Sequence, residues 1–380
     1  MRKALLAFLA LVALLVFVQA STAVAFARDQ GPRLPASAWY LVGPDGEVLA
    51  AHRARERRAI ASITKLMTAV VAIEHARLSE TVVVDRRVAA VGESTAHLRP
   101  GEKLAVADLV RATLVPSGND GALALAYYVG GGSIARFVEL MNAKASELGL
   151  ADTTFRNPHG LDEPGHLSSA RDATVLLRYA LGIPFLRDAL GRELVELPGG
   201  RVVPTTDDLL ASWPRFLGGK TGHTGDAGWS QAGAAAARGA TVYGTTLGSA
   251  TRAHRNEALR ALLEYGLDRY RRIAAIVSGR RYAEVETGYG RPAVALVALR
   301  AEHRTVRDDV ALLERVVAPS SVTLPVRAGQ RLGTVEVWRG DALLASAPLV
   351  AAETVTEPGV VGKVFWYVRT TFGNVWELVS

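Results

Sequence analysis

The apolar pattern of this 380-residue chain changes near residue 274. Before that point, apolar residues recur at helical spacing over long segments: 102–115, 120–129 and 134–148. After it, they form short β-like segments separated by turns: 293–299, 322–326, 332–338 and 343–350. Because helices and half-buried strands have different apolar periods, one uniform architecture cannot accommodate both halves. We predict a mixed α/β domain followed by a small all-β domain.

Composition excludes several classes of protein and of active site. A hydrophobic share of 49% and a charged share of 21% exclude collagen-like, coiled-coil and disordered chains. The absence of cysteine excludes disulfides, cysteine-ligated metals and a cysteine nucleophile. The net charge of +7 comes from dispersed basic residues with one arginine cluster at 53–58, which predicts a solvated loop and no nucleic-acid partner.

The two ends of the chain carry separate signals. Residues 1–27 have the basic start, apolar run and small-residue end of a secretory signal peptide, with cleavage after Ala27 or Ala25. Residues 358–380 place apolar side chains at helical spacing opposite a polar face: Val361, Phe365, Val368, Phe372, Trp376 and Val379. This pattern is too polar to span a bilayer and predicts an amphipathic helix on a membrane surface. The alternative is a terminal helix packed on its own domain.

Turn and helix signals organise the first domain. Two β-like runs within 39–50 flank Pro44-Asp45-Gly46 and predict a hairpin. Residues 59–75 predict a helix with Ser62 near its start, 240–247 predict a strand, and 256–270 predict another helix.

Ser62-Ile63-Thr64-Lys65 offers a possible activated nucleophile. It is the only Ser-x-x-Lys in the chain, and its lysine is one of only six. Side chains three residues apart near a helix start share a face, so a neutral amine could take the serine proton. Burial or a neighbouring cation would keep that amine neutral. The tetrapeptide alone is weak, because an exposed serine and lysine often have this spacing.

Two further motifs add to this one. Pro116-Ser117-Gly118-Asn119 places a hydroxyl and a carboxamide on a turn between predicted helices. Lys220-Thr221-Gly222 lies among glycines that would let a strand edge approach a ligand closely. The structural alternatives are a helix cap for the first motif and an exposed loop for the second. A phosphate-binding loop is excluded because Pro214 stands where its first glycine is needed.

The three motifs occur in the order shared by serine β-lactamases and penicillin-binding proteins. Over most of residues 37–350 the chain resembles the serine-type D-alanyl-D-alanine carboxypeptidases of the low-molecular-mass penicillin-binding proteins. The segments that carry the resemblance are Ala61–Thr68, Pro116–Asp120, Met141-Asn142, Glu147–Gly149, Phe155–Leu161, His166–Ala170 and Gly219–Gly222.

The resemblance implies a role for each motif residue. Ser62 would attack the carbonyl between the two terminal D-alanines of a peptidoglycan stem peptide, Lys65 would be its base, and Ser117 would relay a proton. The substrate would be bound by a second set of residues: Asn119, Lys220, Thr221, Gly222, His223 and, less securely matched, Arg255. The backbone N–H groups of Ser62 and His223 would form the oxyanion hole.

The resemblance also bears on ligands and on alternative functions. No metal or organic cofactor is expected, His159 and His166 are expected to be structural, and β-lactams are expected to acylate Ser62 as inhibitors. The alternatives are a β-lactamase-like hydrolase, a D,D-endopeptidase or transpeptidase of the same fold, and a non-enzymatic wall-binding protein. A class A β-lactamase would need a glutamate that activates water, and none is recognisable by motif between Asn119 and Lys220.

The chain is therefore expected to consist of four segments. It comprises a signal peptide (1–27), a catalytic domain (28–273), a small β-rich domain (274–357) and a membrane-associating helix (358–380). The catalytic domain is expected to have the penicillin-binding transpeptidase/β-lactamase-like α/β fold, a mostly antiparallel sheet from both ends of the domain with a helical subdomain. The protein is expected to work outside the cytoplasmic membrane.

Overall fold

The computed structural model describes residues 31–89 and 91–377. The predicted signal peptide lies outside these residues. The described chain divides into two compact units, with the boundary along the chain between Tyr270 and Arg271, and each has its own hydrophobic core.

The first unit combines strands and helices. Its strands are β1 (Ala38–Val42), β2 (Val48–His52), β3 (Thr81–Val83), β4 (Lys103–Ala105), β5 (Leu194–Leu197), β6 (Arg201–Pro204), β7 (Phe216–Thr224), β8 (Gly228–Ala237) and β9 (Ala240–Ser249). Its helices are α1 (Lys65–His75), α2 (Arg86–Ala89), α3 (Val106–Leu114), α4 (Asn119–Val129), α5 (Ile134–Glu147), α6 (Ala170–Gly182), α7 (Pro184–Leu190), α8 (Asp208–Ser212) and α9 (Arg252–Leu267).

The central sheet of this unit is antiparallel and takes its strands from both ends of the unit. The strand order is β2-β1-β9-β8-β7, so β7 is an edge strand. Successive side chains of β9 point to opposite faces: Val242 packs in the cluster that contains α9, and Leu247 in the cluster that contains α6. The sheet is therefore covered by helices on both faces.

Helix α1 is the centre of the helical subdomain. Its residues from Lys65 to Ala72 are all buried, and it packs against α3, α4, α5 and α6. A helix buried on every side is typical of a core element. A single 3₁₀ turn, Ala61–Thr64, precedes α1 and also contacts β7 and β8. Ser62 therefore lies where the helical subdomain meets the edge of the sheet.

The second unit is mostly β-structure. Its strands are β10 (Tyr270–Ile276), β11 (Arg281–Thr287), β12 (Val294–Ala298), β13 (Glu302–Arg307), β14 (Leu313–Val317), β15 (Ser321–Val322), β16 (Arg331–Arg339) and β17 (Ala342–Ala351). Six of them form a sheet in the order β14-β16-β17-β12-β11-β15, and β10 pairs with β13. The mixed α/β domain followed by an all-β domain is confirmed.

The last element is α10 (Val360–Glu377), which presents two different faces. The rings of Trp366 and Tyr367 contact Tyr289, with centroids 5.5 and 6.1 Å from its ring. Apolar side chains on another face are exposed, with Val361 84% and Phe365 68% accessible. The side chains predicted at Phe372, Trp376 and Val379 lie outside those that the structure describes. Within the described residues, no helix has the length and apolarity required to cross a bilayer.

Three predicted elements need correction. Residues 103–105 form β4 rather than the start of a helix, because they pair with β3. Only Val322 of the predicted strand 322–326 lies in a strand, since Pro325 has no N–H to donate to a ladder. Helix α9 begins at Arg252, four residues earlier than predicted, because the Thr251 hydroxyl accepts a hydrogen bond from the His254 N–H and caps it.

A glycine contact holds the turn that carries Ser62. A Cβ built on Gly160 would lie 1.9 Å from the Ala61 carbonyl oxygen, and Gly160 has a φ of +92°. We expect Gly160→Ala to lower the free energy of unfolding by about 3–5 kcal/mol, because it adds a backbone collision to the strain of a left-handed residue. Gly199→Ala is the matched control: its φ is +82° and a Cβ would meet nothing within 4 Å. Urea unfolding followed by circular dichroism measures both, and equal losses would contradict the collision.

Candidate active site

A cleft of about 420 Å³ in the first unit contains most of the predicted site residues. The predicted residues that line it are Ser62, Ser117, Asn119, Thr221, Gly222, His223 and Arg255. The two predicted lysines are buried instead, with 0% of Lys65 and 1% of Lys220 exposed. A larger cavity, of about 500 Å³, lies in the second unit and carries none of the predicted residues. The structure therefore brings the three motifs together at one place.

Ser62 and Lys65 face each other across one turn. The backbone runs through a left-handed Ala61 (φ +47°) into the 3₁₀ turn, which leaves Ser62 half-buried at the cleft and Lys65 beneath it. Lys65 Nζ lies 2.6 Å from Ser62 Oγ. It also lies 2.7 Å from Asn119 Oδ1 and 3.0 Å from the His159 carbonyl oxygen. These three acceptors fix the amine against the serine hydroxyl.

The environment of Lys65 favours its uncharged form. Burial lowers the pKa of Lys65 well below that of an exposed lysine, and the nearby charge of Lys220 lowers it further. Asp120 and Glu93 act in the opposite direction and do not outweigh these effects. Asp120 is occupied elsewhere, since its carboxylate accepts the N–H groups of Ala96, Leu98 and Gly121. A neutral amine 2.6 Å from a hydroxyl can act as its base.

The turn before α4 supplies a second hydroxyl and an amide. Ser117 is buried and adopts a φ of +63°, a strained conformation for a residue with a side chain. Its hydroxyl has no hydrogen-bond partner among the residues described. Asn119 points its Oδ1 at Lys65 and donates its Nδ2 to the Gly92 carbonyl. Strain at such a position is typical of functional sites, where the surrounding structure imposes the conformation.

Strand β7 brings the third motif alongside Ser62. A Cβ added at Gly222 would lie 3.1 Å from the Ser62 nitrogen and 2.9 Å from the Ile60 carbonyl oxygen, so a glycine is needed for this approach. Thr221 Oγ1 lies 2.7 Å from Thr206 Oγ1. Lys220 Nζ donates to the Thr221 carbonyl, and burial lowers the pKa of Lys220 to about 7.

Two arginines of α9 also line the cleft. Arg255 is buried, lies over the Trp229 ring at 5.6 Å, and donates to Asp208 and Asn256. Arg252 also lines the cleft and pairs with the same Asp208. These arginines carry the positive charge that a carboxylate ligand needs.

The histidines at 159 and 166 have structural contacts. His166 Nδ1 accepts the Arg156 N–H, so its Nε2–H donates to Thr64 Oγ1 at 2.8 Å. Burial lowers the pKa of each histidine to about 4, which keeps both neutral at ordinary pH. His159 contributes its backbone oxygen to Lys65, as described above. Among the described residues, no group of three or more histidine, aspartate or glutamate side chains is placed to hold a metal ion.

Sequence reasoning missed several residues that line the cleft. They are Glu93, Ser94, Thr206, Trp229 and Arg252. Arg252 lies three residues before Arg255 in the sequence. This helical spacing could have pointed to a place for Arg252 in the cleft. Glu93 and Ser94 lie in an irregular loop, which gives no periodic signal. Trp229 could have been found by extending the hairpin after the Lys-Thr-Gly motif, because it pairs with His223 across β7 and β8.

Two family models match most of the chain. Residues 25–251 match the D-alanyl-D-alanine carboxypeptidase family, and residues 276–357 match the C-terminal domain of penicillin-binding protein 5. The chain is 33% identical to the D-alanyl-D-alanine carboxypeptidase DacD of Salmonella typhimurium, over 92% of this chain and 93% of that one. It is 31% identical to DacC of Escherichia coli, over 92% of both chains.

Two solved structures are also similar to this chain. Penicillin binding protein 5 from Haemophilus influenzae superposes with a TM-score of 0.62 at 26% identity, over 87% of this chain and all of that one. The Streptomyces K15 DD-transpeptidase superposes with a TM-score of 0.60 at 29% identity, over 63% of this chain and all of that one. With the motifs, the fold and both domain matches in agreement, this chain belongs to the D-alanyl-D-alanine carboxypeptidase family.

Proposed function

We propose that this protein is a serine-type carboxypeptidase that removes the terminal D-alanine from peptidoglycan stem peptides. The observation that carries the proposal is the 2.6 Å contact between Ser62 Oγ and the buried amine of Lys65. Ser62 lines a cleft that Arg252 and Arg255 also line. A hydroxyl nucleophile in a cleft with carboxylate-binding arginines suits a peptide with a free carboxyl end.

The reaction follows from this arrangement. Lys65 takes the Ser62 proton while Oγ attacks the carbonyl between the two D-alanines. The peptide bond then breaks, its nitrogen receives the proton through Lys65 and Ser117, and free D-alanine leaves. Water subsequently hydrolyses the ester on Ser62 and restores the enzyme. Each proton returns to its starting group over one cycle.

Backbone and cationic groups stabilise the charges that this reaction needs. The N–H groups of Ser62 and His223 serve as the oxyanion hole, a proposal supported by the close approach of β7 to the Ser62 nitrogen at Gly222. Such donors are commonly worth about 3–4 kcal/mol each. Lys220, Thr221 and Arg255 bind the terminal carboxylate. Asn119 binds the peptide in addition to accepting a hydrogen bond from Lys65.

β-Lactamase-like turnover is the second candidate function, and one observation favours it. Glu93 is an exposed residue that lines the cleft. Its charge raises the pKa of Lys65. It precedes Asn119 in the chain and so lies outside the interval between Asn119 and Lys220. A β-lactamase would release penicillin quickly, whereas a carboxypeptidase retains it as a stable ester on Ser62.

Loss of the nucleophile tests the main proposal. We expect Ser62→Ala to reduce D-alanine release from diacetyl-Lys-D-Ala-D-Ala by more than about a thousandfold, because no other group can form the ester. It should also abolish covalent labelling by fluorescent penicillin. Ser146→Ala, an exposed serine of α5, is the matched control and should keep full activity. Activity that survives in Ser62→Ala would contradict the assignment, and a wild-type label lost within seconds would favour the β-lactamase.

Lys65→Arg tests the base. Because burial and Lys220 lower the pKa of Lys65, the amine is charged only below that lowered value, so the wild-type acylation rate at saturating substrate should fall as the pH drops through it. An arginine keeps its proton at all these pH values, so acylation should fall by at least about a hundredfold. Lys103→Arg, an exposed lysine of β4, is the control. Penicillin labelling of Lys65→Arg at the wild-type rate would show that another group is the base.

The place of action is also part of the proposal. The predicted signal peptide supports export, and the site's fit to a cell-wall peptide supports work outside the cytoplasmic membrane. Exposed apolar residues of α10 support its attachment to the membrane surface: Val361, Val364, Phe365 and Val368. Their i, i+3, i+4, i+7 spacing makes one stripe, while Trp366 on another face contacts Tyr289.

Vesicle sedimentation tests this attachment. We expect Val361→Asp/Val368→Asp to lose binding to phosphatidylglycerol/phosphatidylethanolamine vesicles, because two carboxylates would enter the apolar stripe. The matched control is Val48→Asp/Val202→Asp, which changes two exposed valines of the first unit and adds the same charge. The control should sediment like the wild type. Equal binding by all three proteins would refute attachment through α10.

A further inference from the structure

The cleft contains one acidic side chain. Among the described residues that line it, only Glu93 carries a carboxylate, whereas Arg252 and Arg255 carry guanidinium groups. Glu93 is exposed, and its carboxylate has no hydrogen-bond or ion-pair partner in the described part of the chain. Because the protein does not use this carboxylate in a contact of its own, a cationic group of a ligand can bind it.

Helix α4 fixes the position of Glu93. The Gly92 carbonyl accepts a hydrogen bond from Asn119 Nδ2 at 3.0 Å, and the Ser94 carbonyl accepts one from the Asn119 N–H at 2.8 Å. The residues on both sides of Glu93 are therefore bound to the first residue of α4. Asp120 holds the same loop further along the chain, because its carboxylate accepts two N–H groups of the loop. Glu93 thus has a fixed place beside Asn119, although its loop is irregular.

The backbone of Glu93 is also strained. Its φ is +65°, in the left-handed region that glycine adopts more readily than a residue with a Cβ. Ser117, which lines the same cleft, has a similar φ of +63°. Strain of this kind is typical of functional sites. It favours a role for the Glu93 side chain in binding.

The proposed function determines which part of the substrate lies near Glu93. Strand β7 and helix α9 supply the groups that bind the terminal carboxylate, and Ser62 attacks the carbonyl between the two D-alanines. Since the carboxyl end is bound by β7 and α9, the residue that precedes the two D-alanines lies on the Asn119 side of Ser62. The loop that carries Glu93 is bound to Asn119. The Glu93 carboxylate is therefore available to the side chain of that preceding residue.

We propose that Glu93 binds a side-chain ammonium on the residue that precedes the two D-alanines, and so selects stem peptides with a diamino acid at that position. This inference rests on the proposed function, because it assumes how the peptide lies across Ser62. An ammonium on a flexible four-carbon side chain can reach a carboxylate in the same cleft. The cleft volume of about 420 Å³ falls within roughly 300–1,000 Å³, the range of pockets that hold small ligands.

The charge of Glu93 also acts on the base of the proposed reaction. Without substrate it raises the pKa of Lys65, which opposes the neutral amine that the reaction needs. A substrate ammonium beside Glu93 offsets this charge, so it favours neutral Lys65 when the substrate is bound. A substrate with a neutral side chain has no such effect. Binding and base activation therefore favour the same cationic peptide.

Two peptides that differ in one charge test this selection. Nα-acetyl-Lys-D-Ala-D-Ala has a free side-chain ammonium, whereas diacetyl-Lys-D-Ala-D-Ala has none. We expect wild-type kcat/KM for D-alanine release to be about two- to fivefold higher for the first peptide, the usual effect of an exposed ion pair. In Glu93→Gln, which keeps the shape and removes the charge, the two values should be equal. In Glu93→Lys the order should reverse, because like charges repel.

Glu139→Gln is the matched control, because Glu139 is an exposed glutamate of α5 that does not line the cleft. It removes the same charge and should keep the wild-type ratio of the two kcat/KM values. An effect of Glu93 on Lys65 that does not involve the peptide side chain changes both peptides equally and leaves this ratio unaffected. A wild-type ratio in Glu93→Gln would overturn the proposal. A wild type that does not distinguish the two peptides would overturn it as well.

Equilibrium binding separates this proposal from the proposed function. Ser62→Ala cannot form the ester, so NMR chemical-shift titration of this variant measures Kd for each peptide without turnover. We expect Kd to be about two- to fivefold lower for the peptide with the free ammonium, and this difference to be absent from Ser62→Ala/Glu93→Gln. Equal Kd values in Ser62→Ala, or no binding of either peptide, would overturn the proposal. If the wild type releases no D-alanine, the proposed function fails, whereas the Kd values still test Glu93.

Discussion

The contact between the Lys65 amine and the Ser62 hydroxyl is the interaction on which the rest of the site depends. The amine reaches three separate parts of the chain: Ser62 in the turn before α1, Asn119 at the start of α4, and the His159 carbonyl. A buried amine without a carboxylate partner is expensive, and only a firmly packed helix can impose it. Helix α1, buried on every side, supplies that packing.

The site depends on close backbone contacts around Ser62 as well as on reactive side chains. A Cβ at Gly160 would collide with the Ala61 carbonyl, and one at Gly222 would crowd the Ser62 nitrogen. The two glycines therefore allow close backbone approach to the turn that carries Ser62. Left-handed Ala61 and Ser117 are strained for residues with a Cβ. Both residues are buried, so the packing around them imposes these conformations.

The sequence predicted much of this site, for identifiable reasons. Ser62 and Lys65 are local to one helical turn, so spacing alone places them on one face. The hairpin around Pro44 was predicted from its turn residues and is present. Strand β4 was mistaken for helix because its pairing with β3 is tertiary information. Glu93 was missed because an irregular loop has no period that could point to the cleft.

The sequence by itself determined the three motifs, their order, the two-domain division and the family. Those features depend on residue identity, local spacing and apolar period, which a chain carries before it folds. Only the tertiary structure decided which charges meet. Lys65, Lys220 and Arg255 come from three different elements, and the pKa of each depends on burial and on neighbouring charges. Burial and distance exist only in the folded molecule, so these pKa shifts do as well.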